Sequence, residues 1–187
     1  IEVAHKTALH FAVGYLRDQH EMEASPLVPP DTALVRLLLR LGANVNMTDF
    51  HGQTPLHIAI LGRMHEVAEL LLEAGADMTV TSCRSSGAKS TALHVATLIK
   101  GTAMVRLLTG YGAPVDAIGR DGWTPLCLAA RQGSVDVAKA LLEAGAIVFA
   151  PSASGKSPLE IEKAKREAAE AALLELLQHE VATRVLD

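Results

Sequence analysis

Three histidines and a cysteine occupy one fixed place in a phrase that the chain repeats. It reads T-A-L-H-F-A from Thr7, T-P-L-H-I-A from Thr54, T-A-L-H-V-A from Thr91 and T-P-L-C-L-A from Thr124, with a fainter S-P-L-E-I-E from Ser157. Imidazole and thiol groups suit proton transfer, nucleophilic attack or metal binding. The spacing of His10, His57, His94 and Cys127 argues against all three, because they lie 47, 37 and 33 residues apart. That is the rhythm of the phrase, not the short separation of metal ligands. Cys83 has no neighbouring histidine or helix start to lower its thiol pKa, and reads as a surface thiol. No Ser/His/Asp set can be assembled, and G-R-D-G-W-T-P from Gly119 is turn grammar rather than a phosphate-binding loop. The expectation is a segment without catalytic, cofactor-binding or metal-binding residues.

Bulk properties bound the remaining classes. Of 187 residues, 49% are apolar, yet no run approaches the length that crosses a bilayer, so no membrane insertion is expected. Aromatic residues make up 3%, which leaves Leu, Ala, Val and Ile to build the core and suits closely stacked helices. A net charge of -4 lacks the basic footprint of direct nucleic-acid binding. Two cysteines are too few for a disulfide framework, so a reducing intracellular compartment, cytoplasmic or nuclear, is expected. The chain starts at Ile1 rather than Met, which suggests a segment of a longer protein.

The phrase itself dictates local structure. Thr54 is a good helix N-cap, and Pro55 falls at the first helical position, where its missing N–H costs nothing. Leu56, Ile58 and Ala59 follow as apolar groups. A second helix is expected from about His65 to Ala74, with Val67, Leu70 and Leu71 on one face. Gly75 ends it in the left-handed conformation. The same Gly-Ala pair stands 21 residues after Thr54, Thr91 and Thr124. Two short helices cannot bury their apolar faces alone, so each unit must stack on its neighbours.

The residues Asp49 to Ala59 (D-F-H-G-Q-T-P-L-H-I-A) with Val67 to Asp77, and Arg120 to Ala130 with Val137 to Ala146, resemble the ankyrin repeat family. A tetratricopeptide array has a similar period but lacks the G-A-x-V-N hairpin of Gly42 to Asn46. The resemblance covers nearly the whole chain and implies an all-α repeat solenoid. Its elements are helix-turn-helix pairs with projecting β-hairpins or loops, in about five units including the terminal caps. The expected single domain 1–187 divides into 1–48, 49–81, 82–118, 119–151 and 152–187.

Threonine spacings of 47, 37, 33 and 33 against a family period of about 33 locate two departures. Unit one carries an insertion at 17–30, where Pro26, Pro29 and Pro30 exclude helix. Unit three carries a lengthened, mobile finger at 81–90. At the C-terminus, Leu173, Leu174, Leu176 and Leu177 are expected to cover the last repeat. Glu162, Lys163, Lys165, Arg166, Glu167, Glu170 and Glu175 then face water; a partner-binding coiled coil is the alternative. The hairpin that normally precedes unit one is mostly absent, so either the segment is cut close to the fold or further repeats precede it.

The resemblance also assigns roles. The repeated histidine joins backbone groups of adjacent hairpins, and Cys127 replaces it as a small buried thiol at the loss of a hydrogen bond. Asn46 is either a plain hairpin residue or a substrate of an asparaginyl hydroxylase, with Thr79 and Ala117 as its counterparts. Partners of such arrays meet hairpin tips and first helices on a concave face. Mapping the repeat places Phe50, His51 and Gln53 at one tip, and Arg120, Asp121 and Trp123 at another. First-helix ends supply Leu61 and Arg63, then Leu98, Ile99 and Lys100, then Arg131 and Gln132. Arg84, Lys89 and Lys156 come from fingers. Glu66, Glu69, Glu73, Asp136 and Glu143 belong to second helices on the other side. The expected function is an intracellular protein–protein interaction module, monomeric by itself, whose partner protein or peptide is acidic with apolar anchors. The alternatives are the regulatory ankyrin domain of a larger enzyme or channel, and an inhibitor or cofactor of transcription factors.

Overall fold

A computed structural model of the chain describes residues 7–14, 32–84, 88–119, 122–148, 175 and 177–179; of Cys83, Arg84 and Ala88 it describes the backbone alone. The helices are α1 (Ala8–Ala12), α2 (Thr32–Arg40), α3 (Pro55–Leu61), α4 (His65–Glu73), α5 (Ala92–Leu98), α6 (Thr102–Gly110), α7 (Pro125–Gln132) and α8 (Val135–Glu143). Odd-numbered helices open each unit and even-numbered ones close it. First helices pack on first helices, as in α1 on α3, α3 on α5 and α5 on α7; second helices form the other layer, as in α2 on α4 and α6 on α8.

The ends of each helix are fixed by the residues the sequence singles out. Thr7, Thr54 and Thr124 are N-caps in extended backbone whose hydroxyls accept the N–H of the residue three places on. Second helices stop at Gly42, Gly75, Gly112 and Gly145, all at positive φ. At Gly75 (φ +82°), its own N–H bonds to the Leu72 carbonyl and the Ala76 N–H to the Leu71 carbonyl, closing the last turn. The core is aliphatic: Leu9, Leu56, Leu93 and Leu126 fill one repeated position and Leu71, Leu108 and Leu141 another, all buried. Between them Ala59, Ala68, Ala96, Ala129 and Ala138 are buried and let helices approach closely.

The lengthened finger of unit three is an antiparallel ribbon. β1 (Ser82–Arg84) pairs with β2 (Ala88–Ser90) in the register Ser82 to Ser90, Cys83 to Lys89 and Arg84 to Ala88. Its tip, like the insertion at 17–30, lies outside the described residues. So do most of the terminal-helix residues, Leu173, Leu174 and Leu176 among them; Glu175 is helical and exposed, and Leu177 is helical and fully buried.

Both Leu71 and Leu108 are wholly enclosed, so Leu71→Ala or Leu108→Ala should lower the urea-unfolding free energy by about 2–5 kcal/mol. A loss below about 1 kcal/mol would mean that the stack does not depend on this layer.

Candidate interaction surface

The repeated histidines are structural relays. His10 Nε2 lies 3.0 Å from the Gln53 carbonyl oxygen, His57 Nε2 3.3 Å from that of Ser90, and His94 Nε2 2.9 Å from that of Trp123. A carbonyl only accepts, so Nε2 carries the hydrogen and Nδ1 is left as an acceptor. Nδ1 is filled by the N-cap hydroxyl of the same phrase, at 2.8 Å from Thr7, 2.9 Å from Thr54 and 2.7 Å from Thr91. Each imidazole therefore ties its own helix start to the hairpin of the next unit. The accepting carbonyls also close their own hairpins: Gln53 takes the Asp49 N–H and Trp123 the Gly119 N–H. Burial holds His57 down to about 4 from its ordinary 6.5, against the raising influence of the Ser90 carbonyl and Asp49. His94 is lowered for the same first reason, against the Trp123 carbonyl. Cys127 is buried at the fourth such position.

A second set of links crosses the hairpins. Asn46 Oδ1 accepts the Asp77 N–H at 2.7 Å, and its Nδ2 donates to the Gly75 carbonyl at 3.4 Å. Asp116 Oδ1 accepts the Ile147 N–H at 2.9 Å in the same way. The counterpart of Asn46 in unit three is thus Asp116, not Ala117. Between units two and three this link is missing, because Pro114 stands where the donor should be and has no N–H. Ion pairs follow the same pattern among the described residues: Arg36 with Glu66 joins units one and two, and Arg106 with Glu143 joins three and four.

The expected contact residues separate by exposure and by the bonds they already make. Phe50 is 53% exposed with its ring against His51, centroids 3.7 Å apart. Leu98, Lys100 and Arg131 are exposed, Lys89 is exposed on β2, and Arg131 sits over the half-buried Trp123 ring at 5.3 Å. Leu61 and Ile99 are half-buried against the core. Gln53 is a correction: it is 3% exposed, its N–H goes to Asp49 Oδ1 and its carbonyl holds His10. The position before the threonine is where adjacent units are fastened, so it turns inward. Two further residues are partly committed. Arg63 donates to the Ile99 carbonyl, and Gln132 Nε2 to the Leu98 carbonyl at 3.1 Å. Both cap the C-terminal end of α5 from neighbouring units, which also suits the helix dipole. Arg84 is placed by its backbone on β1, and Arg120, Asp121 and Lys156 lie outside the described residues.

Charge on the two layers is unequal. No acidic residue occurs on α1, α3, α5 or α7, while α4 and α8 carry Glu66, Glu69, Glu73, Asp136 and Glu143. The second-helix layer is mixed, however, since it also holds Arg36, Arg40, Arg106 and Lys139. Arg63 and Lys100 stand in the turns after α3 and α5 at φ 56° and 54°, left-handed backbone that side chains other than glycine adopt at a cost. Unit four puts Gly133 at this place, with φ 64°. Sequence spacing alone did not reveal that strain or the capping of α5, because both depend on how one unit meets the next.

A two-layer stack of helix pairs, fastened hairpin to hairpin by buried histidines, is a repeat solenoid. A family model described as ankyrin repeats (3 copies) matches residues 3–82 and 81–151, and the chain belongs to the ankyrin repeat family. It is 37% identical over 115 residues to the Ankyrin repeat and KH domain-containing protein mask-1 of Caenorhabditis elegans, covering 62% of this chain and 4% of that protein. It is 35% identical over 127 residues to the B-cell lymphoma 3 protein homolog of Mus musculus (67% and 28%), and 29% identical over 175 residues to the Potassium channel AKT2/3 of Arabidopsis thaliana (86% and 21%). The chain spans less than a third of the length of each. Ankyrin repeats are generally non-catalytic protein-interaction modules. Among the described residues no helix is long and apolar enough to cross a membrane.

The relay carries a pH dependence whose sign is fixed. Folding keeps His57 neutral below 6.5, where the unfolded chain takes up a proton, so this stability is full above pH 6.5. It is lost as pH falls from 6.5 towards 4, and the share from His57 is ~3 kcal/mol. Urea unfolding across that window should show His57→Asn to be less stable than the parent at neutral pH, but with a shallower decline. Equal slopes for the two proteins would contradict the relay.

Proposed function

We propose that this chain is an intracellular protein-interaction module that takes an acidic, apolar-studded segment of a partner on its first-helix face. The observation that carries this reading is the pair of cations held in left-handed turns. Lys100 and Arg63 occupy backbone that glycine would adopt at less cost, as Gly133 does in unit four. Strain kept at two such places supports a use for the side chains that stand there. Leu98, two residues before Lys100, is exposed, Arg131 stands over the Trp123 ring in the next unit, and the first helices carry no acidic residue. Trp and Arg are the side chains that most often dominate interface energies. Arg63 contributes less freely, since it already holds the Ile99 carbonyl.

The likeness to a plant potassium channel supports a second reading, in which the same face takes a segment of a larger protein that contains this domain. The full-length sequence decides between a partner in another chain and one in the same chain.

A synthetic peptide of alternating Glu and Leu with one Trp serves as probe. Lys100→Glu with Arg131→Glu should weaken its binding about 30-fold or more while leaving Tm within a few degrees. Trp123→Ala should weaken it by a similar factor. Lys100→Gly should separate the two roles of its position: stability rises by about 1 kcal/mol as strain is relieved, while affinity falls. Unchanged affinity in the charge-reversed protein would sink the proposal.

A further inference from the structure

Among the described residues, unit one presents apolar side chains to solvent at positions that the later units bury wholly or in part. Position matching makes the contrast quantitative. On the second helix, Leu34 is 41% exposed where Val67, Met104 and Val137 are each 1% exposed. One turn on, Leu37 is 52% exposed where Leu70 is 7% and Ala140 2%, Leu107 being half-buried. On the first helix, Phe11 is 46% exposed where Ile58 is 7% and Val95 6%, Leu128 being half-buried. Ala8 is exposed where Pro55, Ala92 and Pro125 are buried. In units two to four the helices of the unit before pack here: α1 on α3 and α2 on α4, then α3 on α5, then α5 on α7 and α6 on α8. A solenoid surface that meets solvent is normally polar; the described residues of unit one put Ala8, Phe11, Leu34 and Leu37 there instead.

A polar group repeats the contrast. The backbone N–H two residues after the closing glycine is bonded by a side chain of the preceding unit at Asp77, from Asn46, and at Ile147, from Asp116. Asn44 is the same residue of unit one. Its side-chain oxygen accepts the Asn46 N–H and its carbonyl accepts the Met47 N–H, while its own N–H, on an exposed residue, has no partner among the described residues. Apolar face and solvent-facing donor stand at the sequence positions that make the inter-unit contact elsewhere in the chain.

We propose that this face seats one further ankyrin unit, stacked in line on unit one. Its second helix lays aliphatic side chains on Leu34 and Leu37, its first helix covers Ala8 and Phe11, and an Asn or Asp of its hairpin accepts the Asn44 N–H. The occupant is specified by continuity with the contacts between units one and two and between three and four.

The test supplies such a unit. A copy of residues 88–117 fused ahead of Ile1 puts a glycine twelve residues before Thr7, the spacing from Gly42 to Thr54 and from Gly112 to Thr124, and brings an Asp to the hairpin position. The fusion should raise Tm by at least about 5 °C. Leu37→Glu should abolish most of that rise while shifting the unextended chain by no more than about 1 °C. Three results would overturn the assignment. One is a fusion that melts like the parent. Another is a Leu37→Glu loss as large in the unextended chain, which would mean that residues 15–31 already fill the face. The third is a dimer of the unextended chain, seen by sedimentation and broken by Leu37→Glu, which would place a second copy there.

Discussion

The structure depends on a three-part hydrogen-bond relay repeated along the stack. A threonine hydroxyl fills one nitrogen of a buried imidazole, and the other nitrogen donates to a carbonyl of the next unit's hairpin. Hydrophobic burial alone would bring the helices together but leave their rotation and register loose. The relay fixes both, because it closes only when the helix start of one unit and the hairpin of the next are in one geometry. Its cost is the burial of a titratable ring, met by holding that ring neutral with both nitrogens satisfied. At the hairpin of unit four the packing is tight enough that a Cβ at Gly119 would lie 2.8 Å from His94 Nε2. Unit two has room for Asp49 at the same place, and one oxygen of that carboxylate organises the turn through His51 and Gln53.

Much of this is legible in the sequence because each motif residue acts locally. Thr54 and Pro55 begin a helix for reasons contained within three residues, and Gly75 ends one for reasons contained within two. The period then follows, and with it the stack. What was not legible depends on neighbouring units. Gln53 reads as a polar tip residue, yet its carbonyl is the seat of the relay and the side chain is buried. Arg63 and Gln132 read as free surface groups, yet both reach across to the last carbonyls of one helix. The counterpart of Asn46 is found by its bond to the next hairpin, which identifies Asp116.

The same distinction separates fold from function in this chain. Residues of the recurring phrase are largely consumed by capping and packing, and their variation is narrow, such as Ala or Pro after the threonine and Cys127 for histidine. Residues beside the phrase are free to differ between units: Arg63, Lys100 and Gly133 fill one turn position, and Gln53, Ser90 and Trp123 one hairpin position. At such positions the backbone role is constant while the side chain differs, from buried Gln53 to exposed Lys100. That division lets one scaffold carry many surfaces.

Pro114 gives the array an uneven grain. The boundaries on either side of the middle one are each stitched by a hairpin side chain and an ion pair; the middle boundary keeps His57 and Arg63 but has neither of those stitches among the described residues. In a linear stack, strain accumulates where coupling is weakest, so bending or twisting concentrates there rather than spreading evenly. The middle boundary is held by the relay, the Arg63 bridge and first-helix packing, without those two side-chain stitches. A ligand that lies across both halves would act as a splint at this boundary, supplying from outside the cross-link that Pro114 withholds.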